Sequence, residues 1–169
     1  MKKLQFLLLD AGPIIKLFEL GIWKTFIEKY EVSITRTVVE QCIYVTQSDG
    51  IVFIDFPFEQ AAEEGLIKII DVKPGNVAAF IGELSNKYDL HAGEDETLTF
   101  LNTATEDYHV CAADGAVFKV LGYIGKGERG ISLEELLNTI GQGRKLEWRF
   151  RKAFRDKYTK EGQIDATQG

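Results

Sequence analysis

The sequence predicts an α/β domain, a three-layer α/β/α sandwich built on a mainly parallel central sheet. Two observations carry that expectation. Phe6-Leu7-Leu8-Leu9 and Tyr108-His109-Val110-Cys111-Ala112-Ala113 are short apolar runs that each stop at an aspartate, Asp10 or Asp114, before the chain turns at once into helix-forming sequence. Runs of this kind read as strands buried on both faces, the habit of parallel sheets. Between them, strand candidates alternate with segments whose apolar residues recur at helical spacing. A length of 169 residues is one domain able to bury a sizeable core, and 45% hydrophobic with 27% charged residues is ordinary for a globular chain.

Taken in order, residues 13–18 and 22–29 read as two helices broken near Gly21, with Pro13 as the first helical residue and Ile22, Trp23, Phe26 and Ile27 on one face. Val32-Ser33-Ile34 is a second strand, and Thr35 or Thr37 caps a helix containing Val38, Val39, Glu40, Cys42 and Ile43. Residues 46–58, with the turn signal Gln47-Ser48-Asp49-Gly50, form a loop or small hairpin ahead of a helix at 59–64. Residues 66–72 are a strand, and Pro74 opens a helix reaching Leu84. A helix from Ala92 to about Ala104 begins with three consecutive acids, Glu94, Asp95 and Glu96, which suit a helix N-terminus. After the strand ending at Asp114 comes a helix at 116–121, then Gly122-Tyr123-Ile124 as a short last strand. Gly125-Lys126-Gly127-Glu128-Arg129-Gly130 matches G-x-G-x-x-G, but at the end of the fold its glycines read as a tight loop, with Lys126 and Arg129 available to phosphate. Ser132-x-x-Glu135 is a capping box for the helix at 133–140.

The net charge of −6 argues against a protein that coats nucleic acid. The distribution is asymmetric. Residues 144–169 hold eight Lys/Arg against four Asp/Glu, whereas residues 1–143 hold 12 against 22. The reading is a main domain at 1–143 and a basic amphipathic helix from residue 144, with Leu146, Phe150, Phe154 and Tyr158 every four residues and a disordered end at 162–169. Such a helix packs on its own domain or on a second copy in a homodimer, or docks a partner or nucleic acid. Cys42 and Cys111 lie in apolar contexts without metal or disulfide spacing. With no cleavable signal and no spanning segment, a cytoplasmic protein away from membranes is expected.

Asp10, Glu40, Glu94 or Glu96, and Asp114 come from four segments, each at a strand end or the helix start beside it. Carboxylates gathered at one sheet edge are costly unless a cation sits among them. Mg²⁺ or Mn²⁺ takes such oxygen ligands and serves phosphodiester hydrolysis without a Ser, Cys or His nucleophile. His91 and His109 have no evident partner and read as surface or core residues.

In that order and spacing, the acids resemble the PIN domain family of metal-dependent ribonucleases, many of them toxins of toxin–antitoxin pairs. The resemblance covers about residues 4–140. Leu9-Asp10-Ala11-Gly12-Pro13-Ile14-Ile15 is similar to the family's opening D-[ST]-[SN]-P-L-I, Glu40 to the second acid, Gly93-Glu94-Asp95-Glu96-Thr97-Leu98 to G-E-x-E-A-I, Asp114 to the fourth acid, and Gly127-Glu128-Arg129-Gly130-Ile131 to the closing loop. The resemblance implies an Mg²⁺- or Mn²⁺-dependent endoribonuclease cutting single-stranded RNA. Asp10, Glu40, Glu96 and Asp114 would be its catalytic and metal-binding residues, Glu96 preferred to Glu94. Lys126, Arg129 and the tail arginines would steer phosphate, and an antitoxin protein would be a partner. Ala11 and Gly12 replace the usual hydroxyl residues and Glu128 replaces a usual Thr or Ser. These departures suggest the alternative of a catalytically weak PIN-like module that binds RNA or protein. A haloacid-dehalogenase-type phosphatase, which also begins strand then Asp, is disfavoured because position 12 is Gly rather than a second Asp.

Overall fold

The computed structural model describes residues 3–47, 50–84 and 87–168. The elements are β1 (Phe6–Leu9), α1 (Ala11–Glu19), α2 (Trp23–Lys29), β2 (Glu31–Thr35), α3 (Arg36–Ile43), β3 (Tyr44–Gln47), β4 (Gly50–Phe53), α4 (Phe58–Glu63), β5 (Lys68–Ile70), α5 (Pro74–Glu83), α6 (Ala92–Thr103), β6 (His109–Cys111), α7 (Gly115–Tyr123), β7 (Gly130–Ile131), α8 (Leu133–Thr139) and α9 (Lys152–Gln168). Five strands form one sheet in the order β5-β2-β1-β6-β7, every pairing parallel. Helices cover both faces, so the fold is the expected three-layer α/β/α sandwich. No helix among the described residues is long and apolar enough to cross a membrane.

The pleat of β1 divides the core. Leu7 and Leu9 pack among Ile14, Leu17, Phe26, Ile34 and Leu136 on one face, while Leu8 packs among Leu98, Val110, Val117, Phe118 and Leu121 on the other. All three leucines are fully buried, which is why this strand shows no polar alternation. The register pairs Leu9 with Cys111, and the Asp10 N–H donates to the Cys111 carbonyl at 3.0 Å. The two aspartates that end these runs therefore lie beyond the carboxyl ends of neighbouring central strands, where open α/β sheets bind ligands.

Several local expectations are corrected. The first helix starts at Ala11, so Pro13 is its third residue; the chain breaks at Gly21, whose φ of +71° favours glycine. Residues 46–58 do contain a hairpin, β3 paired with β4, but it begins at Tyr44; Ser48 and Asp49 of the proposed turn lie outside the described residues. Gly122 and Tyr123 are not a strand but the end of α7, and the last strand is Gly130–Ile131.

The reason lies in α9. A Cβ on Gly122 would sit 2.1 Å from the Thr159 carbonyl oxygen, and one on Gly162 only 1.9 Å from that of Lys119. Two glycines thus let α7 and α9 approach at backbone contact, and that packing holds both in helix. The same contact corrects the expectation of a disordered end at 162–169, since α9 continues to Gln168. The basic helix does not begin at residue 144. A 3₁₀ turn at Trp148–Phe150 precedes α9, and Leu146, Phe150 and Phe154 are buried. Arg155 donates to the carbonyls of Gly127 and Gly130, and the Tyr88 hydroxyl donates to Asp165 at 2.7 Å. The C-terminal segment is packed on the same body.

Candidate metal centre

Asp10 follows β1 and precedes α1 in extended backbone. It is only 8% exposed, and its side chain makes no capping bond to the helix it precedes. The Ala11 N–H does bond to that carboxylate and lowers its pKa, but no bond of the capping kind reaches further into the first turn. Burial pushes the Asp10 carboxyl up from its ordinary 3.8 to about 6, and the nearby Asp114 charge adds to the shift. Asp114 caps α7, its Oδ1 accepting from the Ala116 N–H at 2.9 Å.

The third acid arrives from α6. Gly93 lies so close to α3 that a Cβ there would be 2.7 Å from the Gln41 Oε1 and 2.8 Å from the Val38 Cγ2. That approach seats Glu94 inside the sheet edge, 5% exposed, with Oε2 buried and without a hydrogen-bond partner. A buried, unpartnered carboxylate oxygen is costly. Burial first, then the charges of Asp10 and Asp114 and a hydrogen bond shared with Asp114, push the Glu94 carboxyl from 4.5 up to about 8, against a backbone hydrogen bond at His91 that lowers it; the orphaned group is the Oε2 atom alone. His91, the residue before α6, is exposed at the rim, and one ligand atom each from His91, Glu94 and Asp114 lie within 4.8 Å of one another. Asp10, Glu94 and Asp114 line an open cleft of about 230 Å³ together with Gln41, His91 and Arg149.

The structure thus brings together Asp10, Asp114 and Glu94, but not Glu40 or Glu96. Successive helical residues are about 100° apart, so Glu94 and Glu96 cannot share a face. Glu96 instead accepts from the Thr37 N–H at 3.1 Å and the Thr37 hydroxyl at 2.8 Å, tying α6 to the first turn of α3. Glu40 is exposed and faces a separate cleft with Arg36, Val39 and Phe56; its neighbour Gln41 faces the acids. Lys126 and Arg129 precede β7, at the opposite edge of a parallel sheet from Asp10 and Asp114. There Lys126 donates to the Asn102 carbonyl and Arg129 pairs with Asp107. Among the tail arginines, Arg144, Arg151 and Arg155 bond to backbone carbonyls, while Arg149 lines the acid cleft.

Glu94, ranked second to Glu96, and the unforeseen Gln41 and His91 had partial signals. Glu94 falls four residues before the buried Leu98 and seven before Leu101, the inward stripe of α6. Gln41 follows Val38 by three on the inward side of α3, and His91 precedes Glu94 by three across a helix start. Arg149, expected among the tail arginines to steer phosphate, had no signal for its place beside the acids, because its 3₁₀ turn interrupts the four-residue repeat.

The donor set suits a hard divalent cation. Three carboxylates, one of them with an orphaned buried oxygen, favour Mg²⁺ or Mn²⁺, and an imidazole at the rim fits Mn²⁺ better than Mg²⁺. No protein-family model matches the chain, and no curated protein matches it either.

Proposed function

We propose that this chain is an Mg²⁺- or Mn²⁺-dependent endoribonuclease that hydrolyses phosphodiester bonds of single-stranded RNA, with Asp10, Glu94 and Asp114 holding the ion. The observation that carries the reading is the buried Glu94 oxygen without a partner, facing two further carboxylates at the carboxyl edge of the sheet. A bound divalent ion supplies an activated water and charge neutralisation to phosphodiester hydrolysis. The chain's own residues do the remaining work. Asp10 and Asp114 are fixed by the backbone of adjacent strands, so their spacing is set by sheet register. Gly93 fixes the depth of Glu94, Gln41 offers an amide to a ligand oxygen, and the openness of the cleft admits a polymer rather than enclosing a small molecule.

The chemistry also fits a reducing compartment, the cytoplasm. Cys42 and Cys111 are free and buried, and burial pushes the Cys42 thiol up to about 12, which keeps it protonated and inert.

The test is cleavage of a mixed RNA pool with Mn²⁺. Asp10→Asn and Asp114→Asn should each slow cleavage at least about 100-fold, since changes outside the ligand shell alone cost about 10–100-fold. Glu40→Gln should cleave like the wild type. Equal rates for the wild type and both aspartate variants would defeat the nuclease reading, and loss of activity in Glu40→Gln would restore Glu40 to the site. The alternative of a weak RNA- or protein-binding module is favoured by Gln41, an uncharged side chain facing the acids. It predicts stabilisation by Mn²⁺ without cleavage.

A further inference from the structure

The acid cleft has a cation at its mouth that its carboxylates leave unpaired. Arg149 lines the cleft, is exposed, and among the described residues makes no hydrogen bond or ion pair; its guanidinium lies over the Phe150 ring, 4.8 Å from the centroid. A guanidinium there has the wrong sign for the ion that three carboxylates attract and the right sign for a phosphate approaching that ion. On the other side of Asp114 lies a second open cleft, lined by Asp114 and Asp89 with Lys87, Lys119 and Tyr158. Lys119 sits over the Tyr158 ring and is held by Glu161 at 3.4 Å, while Lys87 has no ion pair among the described residues. Next to Arg149, Trp148 stands edge-to-face with Phe154 and leaves 47% of its surface exposed.

We propose that these groups form one seat for the phosphodiester backbone of a single strand. Arg149 holds a phosphate at the acid cleft, and Lys87 and Lys119 take neighbouring phosphates beyond Asp114, so that at least two phosphates are engaged. Trp148 offers a ring face on which an unpaired base stacks, the arrangement by which single strands are bound without sequence preference, while the Tyr158 ring is taken up by Lys119 and Lys157 and positions the first of them toward the strand. The C-terminal segment is then a wall of the site rather than an appended tail. This inference rests on the metal-dependent nuclease reading for the position of the scissile phosphate, and on Arg149 and the second cleft for the rest.

The experiment is titration of a fluorescein-labelled ten-nucleotide oligouridine, and of the matching oligothymidine, into the full chain with Ca²⁺ in place of Mn²⁺, at several salt concentrations. Arg149→Ala should weaken binding of both strands about tenfold and lower the salt slope by about 0.7, the share of one phosphate on a single strand. Adding Lys87→Ala and Lys119→Ala should lower the slope by about 2 in all. Lys126→Ala, at the far edge of the sheet, should bind like the wild type. Arg149→Lys should recover the salt slope and only part of the affinity, because a point charge replaces a planar fork.

Stabilisation by Mn²⁺ gives the independent readout. Removing a neighbouring positive charge leaves it intact or increases it in Arg149→Ala, whereas a merely structural role for Arg149 would weaken metal and oligonucleotide binding together. Unchanged oligonucleotide affinity in the triple variant overturns the seat and leaves the metal centre standing. A wild-type chain that binds the strand with the predicted dependence on these cations but gains nothing from Mn²⁺ overturns the metal reading and keeps the seat.

Discussion

Glu94→Gln is expected to move two properties in opposite directions: the metal-free protein becomes more stable, and its response to Mn²⁺ disappears together with at least about 99% of RNA cleavage. Glu94 is buried, one of its oxygens has no partner, and Asp10 and Asp114 face it. Glutamine keeps the shape, removes one negative charge from a crowded anionic site, and brings an N–H donor to the neighbouring carboxylates. At pH 8.5 relief of that strain should be worth about 1–2 kcal/mol, or roughly 2–8 °C in melting temperature for a chain of this size. Stability withheld at a site for the sake of a ligand is the usual trade between folding and function. Thermal melts with and without Mn²⁺ measure both halves. A variant less stable than the wild type in chelator would mean that the Glu94 carboxylate is satisfied without any ion.

The second large effect is the pH dependence of the metal-free protein. Asp10 and Glu94 have native values of about 6 and about 8 against ordinary values of 3.8 and 4.5. Folding raises both, so between these limits the native state holds protons that the unfolded chain has released. Stability therefore falls as pH rises from about 4 through about 8 and levels off above, with a slope of at most about 1.4 kcal/mol per pH unit for each proton. In chelator the melting temperature should drop steadily from pH 5 to pH 8, and Glu94→Gln should flatten the upper part of that drop. Mn²⁺ binds the deprotonated carboxylates, so its stabilising effect should grow over the same interval. A melting temperature that is level from pH 5 to pH 8 in chelator would contradict the burial and crowding of these acids.

Much of this site could be read in the chain before its fold was seen, and the division between what could and could not is physical. The meeting of Asp10 and Asp114 at one edge is legible because an apolar strand ending in a carboxylate is a local pattern, and because neighbouring parallel strands carry their ends to the same side. The acidic turn of α6 is legible for the same reason, but which of its acids faces Asp10 and Asp114 is not. Glu94 and Glu96 differ by 200° of helical rotation, and the motif-like preference for Glu96 outweighed the phase set by Leu98 and Leu101. Half that rotation, about 100°, separates Glu40 from its neighbour Gln41 on α3. Gly122 and Gly162 carried no local sign that they touch; both look like helix breakers, and only the α7–α9 contact makes them helical. The place of Arg149 beside the acids lies further still from local inference, since it reaches the cleft through a 3₁₀ turn between two helices distant in sequence from every acid it faces.

The most direct measurement is the anomalous scattering of Mn²⁺ in a crystal of the wild-type chain grown with the ion. The account predicts one strong peak in the cleft, about 2.1 Å from carboxylate oxygens of Asp10, Glu94 and Asp114, with Arg149 outside its ligand shell. An empty cleft at saturating Mn²⁺, or a peak bound instead at Glu40 or Glu96, would contradict it.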